Sequence, residues 1–410
     1  MRHTQNKNLI TLILGMLATI TPFAIDLYLP SFSHIAKDLN TTTAHVSLSV
    51  SSYFIGMALG QLMYGPLLDR FGRKMPLFVG LIIFVFASIA CTFSENVELL
   101  VGIRFVQALG GSVAGVASVA MVKDFFPPEQ GARIFAMLIL TIGVSPLLAP
   151  TIGGFVATML GWKAVFFLLS LIALFAMIIV FLFLPEGHQP DKMVSLKLMP
   201  MVKTYFSILS DAQFFTYTIS GSFSFATLFI YVAGSPIVFM EIFHVSPQVY
   251  GGIFAFLSVG FIGASQLNIF LTKKFTSSEI FRFALIMQVI AGGIFLLVAW
   301  YDWMNLYSTI LMFFIFLSCV ELINPNATAL ALAPFTKNIG SAAAMLGCTQ
   351  IGIAALASIG VGMFDSSNMF AMIALMAVTA AFALFLFITG ERKIAGKIIA
   401  ADVNKETLVH

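Results

Sequence analysis

Charge is scarce in this sequence. Asp, Glu, Lys and Arg together make up 10% of its 410 residues, where a soluble domain carries roughly a quarter. Too little polar surface remains to cover a globule in water. That excludes an ordinary soluble protein and leaves lipid as the solvent. Cysteine is nearly absent. Cys91, Cys319 and Cys348 lie scattered through apolar segments, which indicates neither a disulfide framework nor a metal site. There is also no nucleotide-binding glycine loop, no cluster of metal ligands and no nucleophile–base pattern, which argues against an enzyme and against direct use of ATP. The net charge of +3 sits in short loops and is not a nucleic-acid footprint.

Apolar residues fill 60% of the chain, in runs too long and continuous for the alternating strands of a β-barrel. Charges and Pro/Asn clusters divide these runs into segments each long enough to cross a bilayer. They predict helices near 9–30, 44–68, 75–94, 98–122, 132–158 and 162–184, then 212–240, 247–271, 279–299, 303–325, 339–362 and 367–389. The fold class expected is all-α integral membrane, with twelve transmembrane helices in two six-helix bundles. Residues 1–184 form the first bundle, 185–211 a central loop, 212–390 the second bundle and 391–410 a tail. The first apolar run is too long for a signal-peptide core, so it reads as an uncleaved span. With the N-terminus inside, every Lys and Arg except Arg104, Lys37 and Lys163 falls on the cytoplasmic side. The positive-inside rule then puts both termini in the cytoplasm.

Two charges interrupt the first third of the chain, Asp26 in span one and Arg104 in span four. A charge in hydrocarbon persists where it faces a cavity, finds a partner or carries an ion. Desolvation disfavours a charged carboxyl, which makes an acid at that depth a candidate for reversible protonation. Arg104 keeps its proton, so its role is electrostatic. It would hold Asp26 ionised when near, or hydrogen-bond carbonyls of span one, with Gln107 one turn further along the same face. The alternatives are a wet Asp26 near a helix end and an Arg104 that only ties two helices together. Glu321 is a third acid, in span ten beside Asn324-Pro325-Asn326. It is either a second proton or cation site or a residue close to the cytoplasmic end.

The loop Gly65-Pro-Leu-Leu-Asp69-Arg70-Phe-Gly72-Arg73-Lys74 joins spans two and three. Its glycines suit a tight turn and close helix approach. Asp69 is placed to accept from a helix N-terminus, and Arg73 to pair with Asp124 at the end of span four, a set expected to latch the two halves. In span five, Gly143, Pro146, Pro150, Gly153 and Gly154 predict a kinked, smooth helix with span eight as its partner, acting as a hinge or seal. A weak repeat relates Gly60-Gln61-Leu62, ending span two, to Ser265-Gln266-Leu267, ending span eight.

These segments carry a family resemblance. Gly65 to Lys74 is similar to the signature loop of the major facilitator superfamily. Leu99 to Gly110, around Arg104 and Gln107, resembles the arginine motif of its proton-coupled antiporters. Gly143 to Gly154 resembles the antiporter motif of its drug exporters. Ile25-Asp26-Leu-Tyr28-Leu-Pro30, Ser222-Phe-Ser-Phe225, Gly234-Ser-Pro236 and Glu241-Ile-Phe-His244 narrow the match to the bicyclomycin-resistance (Bcr/CflA) multidrug efflux family. The resemblance runs from about residue 9 to 390. It implies an inner-membrane antiporter of small amphipathic drugs, driven by the proton gradient without a cofactor. Its expected partners are substrate, protons and membrane lipids, with no nucleic acid, and it is expected to act as a monomer. Proton coupling would rest on Asp26, Arg104 and Glu321. Substrate would meet Asp26, Tyr28, Tyr53, Phe54, Gln107, Phe225, Phe229 and Tyr231. A dedicated exporter of a siderophore, peptide or amino acid would use the same motifs and stays open.

Overall fold

A computed structural model of the protein describes residues 7–126, 128–187, 190, 205–335, 339–363 and 369–394. Most of the expected central loop and most of the expected tail therefore lie outside the described residues. The described secondary structure is helical, without strands. Among the described residues twelve helices are long and apolar enough to cross a membrane. They are α1 (Lys7–Asp26), α2 (Thr43–Phe71), α3 (Lys74–Cys91), α4 (Val97–Phe125), α5 (Pro128–Leu160), α6 (Trp162–Phe183), α7 (Ala212–Pro236), α8 (Pro247–Leu271), α9 (Ser277–Trp300), α10 (Leu306–Leu332), α11 (Ile339–Met363) and α12 (Met369–Ile394). Each expected span has its helix, and the structure differs mainly in letting α2, α4 and α10 run longer.

The ends are set by local chemistry. Thr42 caps α2 by accepting from the His45 amide, and Asn96 caps α4 by accepting from Leu99. Capping boxes start α9 (Thr276 with Glu279) and α10 (Asn305 with Ser308), each satisfying amides that the first helical turn leaves open. Span one is broken. α1 stops at Asp26, Leu29–Ser31 makes a 3₁₀ turn carrying Pro30, and a short helix follows at Phe32–Asp38. Span seven ends in a π-helical turn, Ile237–Ile242, directly after Pro236.

The chain divides into two compact units. The first comprises Met1–Leu196 and Pro236–Phe256, and the second Lys197–Ser235 and Leu257–His410. Residues 236–256 thus group with the first unit rather than with the second bundle expected from sequence. The cause is visible at Gly154 and Gly251: a Cβ on Gly154 would meet the Pro247 carbonyl, and one on Gly251 would meet Thr151 and Pro150. The start of α8 therefore lies directly on α5, as the small residues of span five suggest.

Within the first unit the most extensive packing is α2 on α4. Gly56 and Gly60, one helical turn apart, make it possible. A Cβ on Gly56 would press on the Phe105 carbonyl, and one on Gly60 on the Ser112 side chain. In lipid, where no hydrophobic force drives helices together, such close backbone approach is the main source of association. In the second unit a buried cluster joins α7, α9, α10 and α12 through Phe214, Tyr217, Phe281, Leu285, Ile323 and Phe387.

Candidate functional site

Arg104 lies on α4 and is completely buried. Its guanidinium is sandwiched between aromatic faces, 4.3 Å from the ring centre of Tyr28 and 4.2 Å from that of Tyr53, with Phe166 at 5.7 Å. Nη1 donates to Gln107 Oε1 at 2.5 Å, and Nη2 donates to the Ala24 carbonyl on α1 at 3.0 Å. Gln107 Nε2 in turn donates to Ser88 Oγ on α3 at 2.7 Å. Tyr28 is held by a 3.0 Å hydrogen bond between its hydroxyl and Ser49 on α2.

The break in span one creates this site. In an unbroken helix the Ala24 carbonyl would accept from the Tyr28 amide. Because α1 stops at Asp26, no such bond forms among the described residues, and Arg104 takes the freed carbonyl. The same break swings Tyr28 onto the guanidinium. Facing π-clouds offset part of the cost of burying a cation in place of a counter-charge.

Asp26 sits at that break, 6% exposed. Among the described residues no hydrogen bond or ion pair reaches its carboxyl. The expected direct hold of Arg104 on Asp26 is therefore not made here. The two terminal nitrogens of the guanidinium are committed to Gln107 and Ala24 and its faces to two rings, with Nε left without a described partner, and no described group pairs with the carboxyl. Of the side chains expected near substrate, Tyr28, Tyr53, Phe54 and Gln107 are fully buried. Tyr28, Tyr53 and Gln107 converge on Arg104. Their ring faces and amide are occupied by it.

Phe225, Phe229 and Tyr231 lie on α7. Phe225 and Phe229 contact each other with ring centres 5.2 Å apart, and Tyr231 meets Phe313 of α10 edge-on at 5.1 Å. Glu321 lies in the middle of α10, half-buried. It is not near a helix end.

The loop between α2 and α3 forms a compact ionic cluster. Arg73 Nε donates to Asp124 Oδ2 at 2.7 Å and Nη2 to Asp124 Oδ1 at 3.3 Å, while Nη1 pairs with Asp69 at 2.6 Å. Burial alone would lower the pKa of Arg73. The hydrogen bonds to Asp124 and Asp69 outweigh it and leave the value raised. Gly72 turns the chain with φ 83°, a conformation that favours glycine. Gly65 has open space where a Cβ would stand, so the close helix approach expected there is absent. The expected role of Asp69 at a helix N-terminus falls to another residue. Glu186, just past α6, accepts from the Arg73 amide at 2.5 Å and from the Lys74 amide at 3.3 Å, the charge a helix start favours. Sequence reasoning missed Glu186 because its only signal was one acid after a long apolar run. The guanidinium of Arg70 lies 5.9 Å from the ring centre of Phe71, and the ammonium of Lys74 5.8 Å from that of Phe78. All members of this cluster belong to the first unit.

Asp124 shields a nearly buried cation, whereas Asp69 is half exposed. Asp124→Ala is therefore expected to cost about 2–3 kcal/mol and Asp69→Ala under about 1 kcal/mol. Thermal unfolding in detergent should rank wild type, the Asp69 variant and then the Asp124 variant in falling order; the reverse ranking would overturn this assignment.

In span five, a Cβ on Gly153 would collide with the Leu27 carbonyl, at the turn that follows Asp26. The proline-rich helix α5 is thus pressed against the break in span one. Gly143, Pro146 and Pro150 lie along the same helix.

The Major Facilitator Superfamily profile matches residues 14–356. The chain belongs to that superfamily. It is 31% identical over 87% of its length to a bicyclomycin resistance protein homolog of Haemophilus influenzae, covering 89% of that protein. It is 27% identical over 88% of its length to multidrug resistance protein D of Escherichia coli, covering 90% of it. A bacterial homolog of the human lysosomal transporter Spinster, in an inward-facing and occupied conformation, is similar in fold. Its TM-score is 0.75 at 14% identity, covering 94% of this chain and 97% of that one. A D-xylose-proton symporter gives the same TM-score at 15% identity, over 93% and 97% of the two chains. The expected resemblance to the bicyclomycin-resistance family is thus met, and the chain is a multi-pass inner-membrane transporter rather than an enzyme.

Proposed function

We propose that the chain is a proton-coupled antiporter that exports small amphipathic compounds, drugs among them, by alternating access. The observation that carries this reading is the Asp26 carboxyl at the break of span one, which no described hydrogen bond or ion pair reaches, while both terminal nitrogens of Arg104 are bonded to Gln107 and Ala24. An acid so placed can exchange a proton or bind a polar substrate group without first breaking a salt bridge. Protonation from outside would release substrate, and deprotonation inside would restore the acceptor. The names of the bicyclomycin- and multidrug-resistance relatives support drugs as substrates. The Lys and Arg distribution supports cytoplasmic termini. No cofactor is required, and a monomer suffices.

The test is substrate-induced proton release from purified protein in detergent, with cationic and neutral drugs and a siderophore. Release by wild type that vanishes in Asp26→Asn is expected. Unchanged release from the variant would move the proton site elsewhere, with Glu321 the next acid to examine. Release on siderophore alone would favour the dedicated metabolite exporter.

A further inference from the structure

From α10 and α11 we infer a second recognition subsite, in which Glu321, Asn324 and Gln350 bind the ammonium group of amphipathic primary amines. It rests on the transport reading above but assigns Glu321 to substrate rather than to the proton.

α10 carries a row of polar residues along one face. Ser318, Glu321, Asn324 and Thr328 recur there at helical spacing, and residues three or four apart stand about 5–6 Å from each other. Polar residues at that depth need a partner or a polar occupant. Asn326, on another side of the helix, has its partners: Nδ2 donates to Asn268 Oδ1 at 2.7 Å and to the Leu322 carbonyl at 2.8 Å. It reads as a tie between α10 and α8.

Glu321 is different. No hydrogen bond or ion pair reaches it from any described residue. The described basic groups of its unit are engaged elsewhere or sit at helix ends: Arg282 pairs with Glu391, and Arg392 and Lys393 occupy the last turn of α12. Lys273 and Lys274 follow the end of α8, with the Lys273 ammonium over Phe270.

Gln350, buried on α11, donates from Nε2 to Asn324 Oδ1 at 2.8 Å. That bond fixes both amides and leaves the Gln350 carbonyl oxygen without a described donor. Pro325 adds a further acceptor. It has no N–H to give to the carbonyl one turn back, which is that of Glu321 itself. The site therefore gathers a carboxylate, a main-chain carbonyl and an amide carbonyl, with no cation among them. A primary ammonium brings one charge and three N–H donors to match. A Ca²⁺ or Mg²⁺ ion would ask for six or more oxygens, and no group of three or more metal-ligating side chains occurs among the described residues. Simple proton carriage would use the carboxyl and leave the paired amides without a purpose.

The test compares doxorubicin, a fluorescent amphipathic primary amine, with its uncharged N-acetyl derivative, binding to the full-length protein in detergent at neutral pH. Wild type is expected to prefer the amine. Glu321→Gln should weaken doxorubicin at least tenfold and change the N-acetyl derivative less than twofold, and Gln350→Leu should weaken doxorubicin three- to tenfold. Glu321→Asp guards against a folding defect: it should elute as wild type does and keep the preference at lower affinity. Equal loss of both ligands, unchanged doxorubicin binding in Glu321→Gln, or a wild type that does not distinguish the two compounds would each overturn the subsite. The antiport reading fails separately. Proton release that persists in Asp26→Asn, beside a selective loss in Glu321→Gln, removes Asp26 as the proton site and keeps the subsite; no release from wild type on any drug sinks the antiport reading and leaves the subsite standing on doxorubicin binding; lost release in Asp26→Asn with intact doxorubicin binding in Glu321→Gln keeps the antiport and sinks the subsite.

Discussion

Replacing Arg104 with alanine is expected to abolish export and to lower stability by about 3–5 kcal/mol. The side chain fills the space between Tyr28 and Tyr53 and supplies donors to the Ala24 carbonyl and to Gln107. Its removal leaves a void between two rings and orphans acceptors on two helices. A buried carbonyl without a donor is costlier in lipid than in water, because no solvent replaces the bond. Arg104→Lys separates charge from geometry. Lysine keeps the positive charge but lacks the planar fork that stacks on two rings while donating sideways. If the fork is what matters, Arg104→Lys should resemble Arg104→Ala in both thermal unfolding and transport. A lysine variant that transports at near wild-type rate would show that charge alone suffices and that the aromatic sandwich is incidental.

The parts of this arrangement that local rules determine were legible in the sequence. Twelve apolar runs bounded by charges and caps predict twelve helices because a bilayer admits little else. Arg104 and Gln107 share a face because they are three residues apart on one helix. The pairing of Arg73 with Asp124 follows from opposite charges at the ends of neighbouring spans. What the sequence did not show depends on tertiary placement. Tyr28 was expected to line a substrate site, yet its ring lies on Arg104, since the chain breaks at Asp26 and turns the tyrosine inward. A period of 3.6 cannot anticipate that, because it assumes the helix continues. Glu186 takes the helix start that Asp69 was expected to serve, and nothing local distinguishes those two acids. Only the folding of α6 back beside α3 does.

Among the glycines whose surroundings are described, Gly153→Ala should be the most damaging addition of a single methyl group. Its Cβ would enter the space of the Leu27 carbonyl oxygen, and a backbone atom cannot rotate away as a side-chain tip can. Either α5 moves outward or the turn after Asp26 is displaced. Overpacking of this kind costs about 1–3 kcal/mol, but the functional loss should exceed the thermal one. Leu27 lies between Asp26 and Tyr28, so displacing it shifts both the isolated carboxyl and one face of the Arg104 sandwich. Gly252→Ala is the matched control, since open space surrounds the position where its Cβ would stand. Loss of export at modest thermal cost in Gly153→Ala, with both properties retained in Gly252→Ala, is the expected pattern. Full export by Gly153→Ala would mean that the contact between α5 and the break in span one is not needed at any stage of the cycle. The hinge or seal assigned to Gly153 and Gly154 would then have to be abandoned.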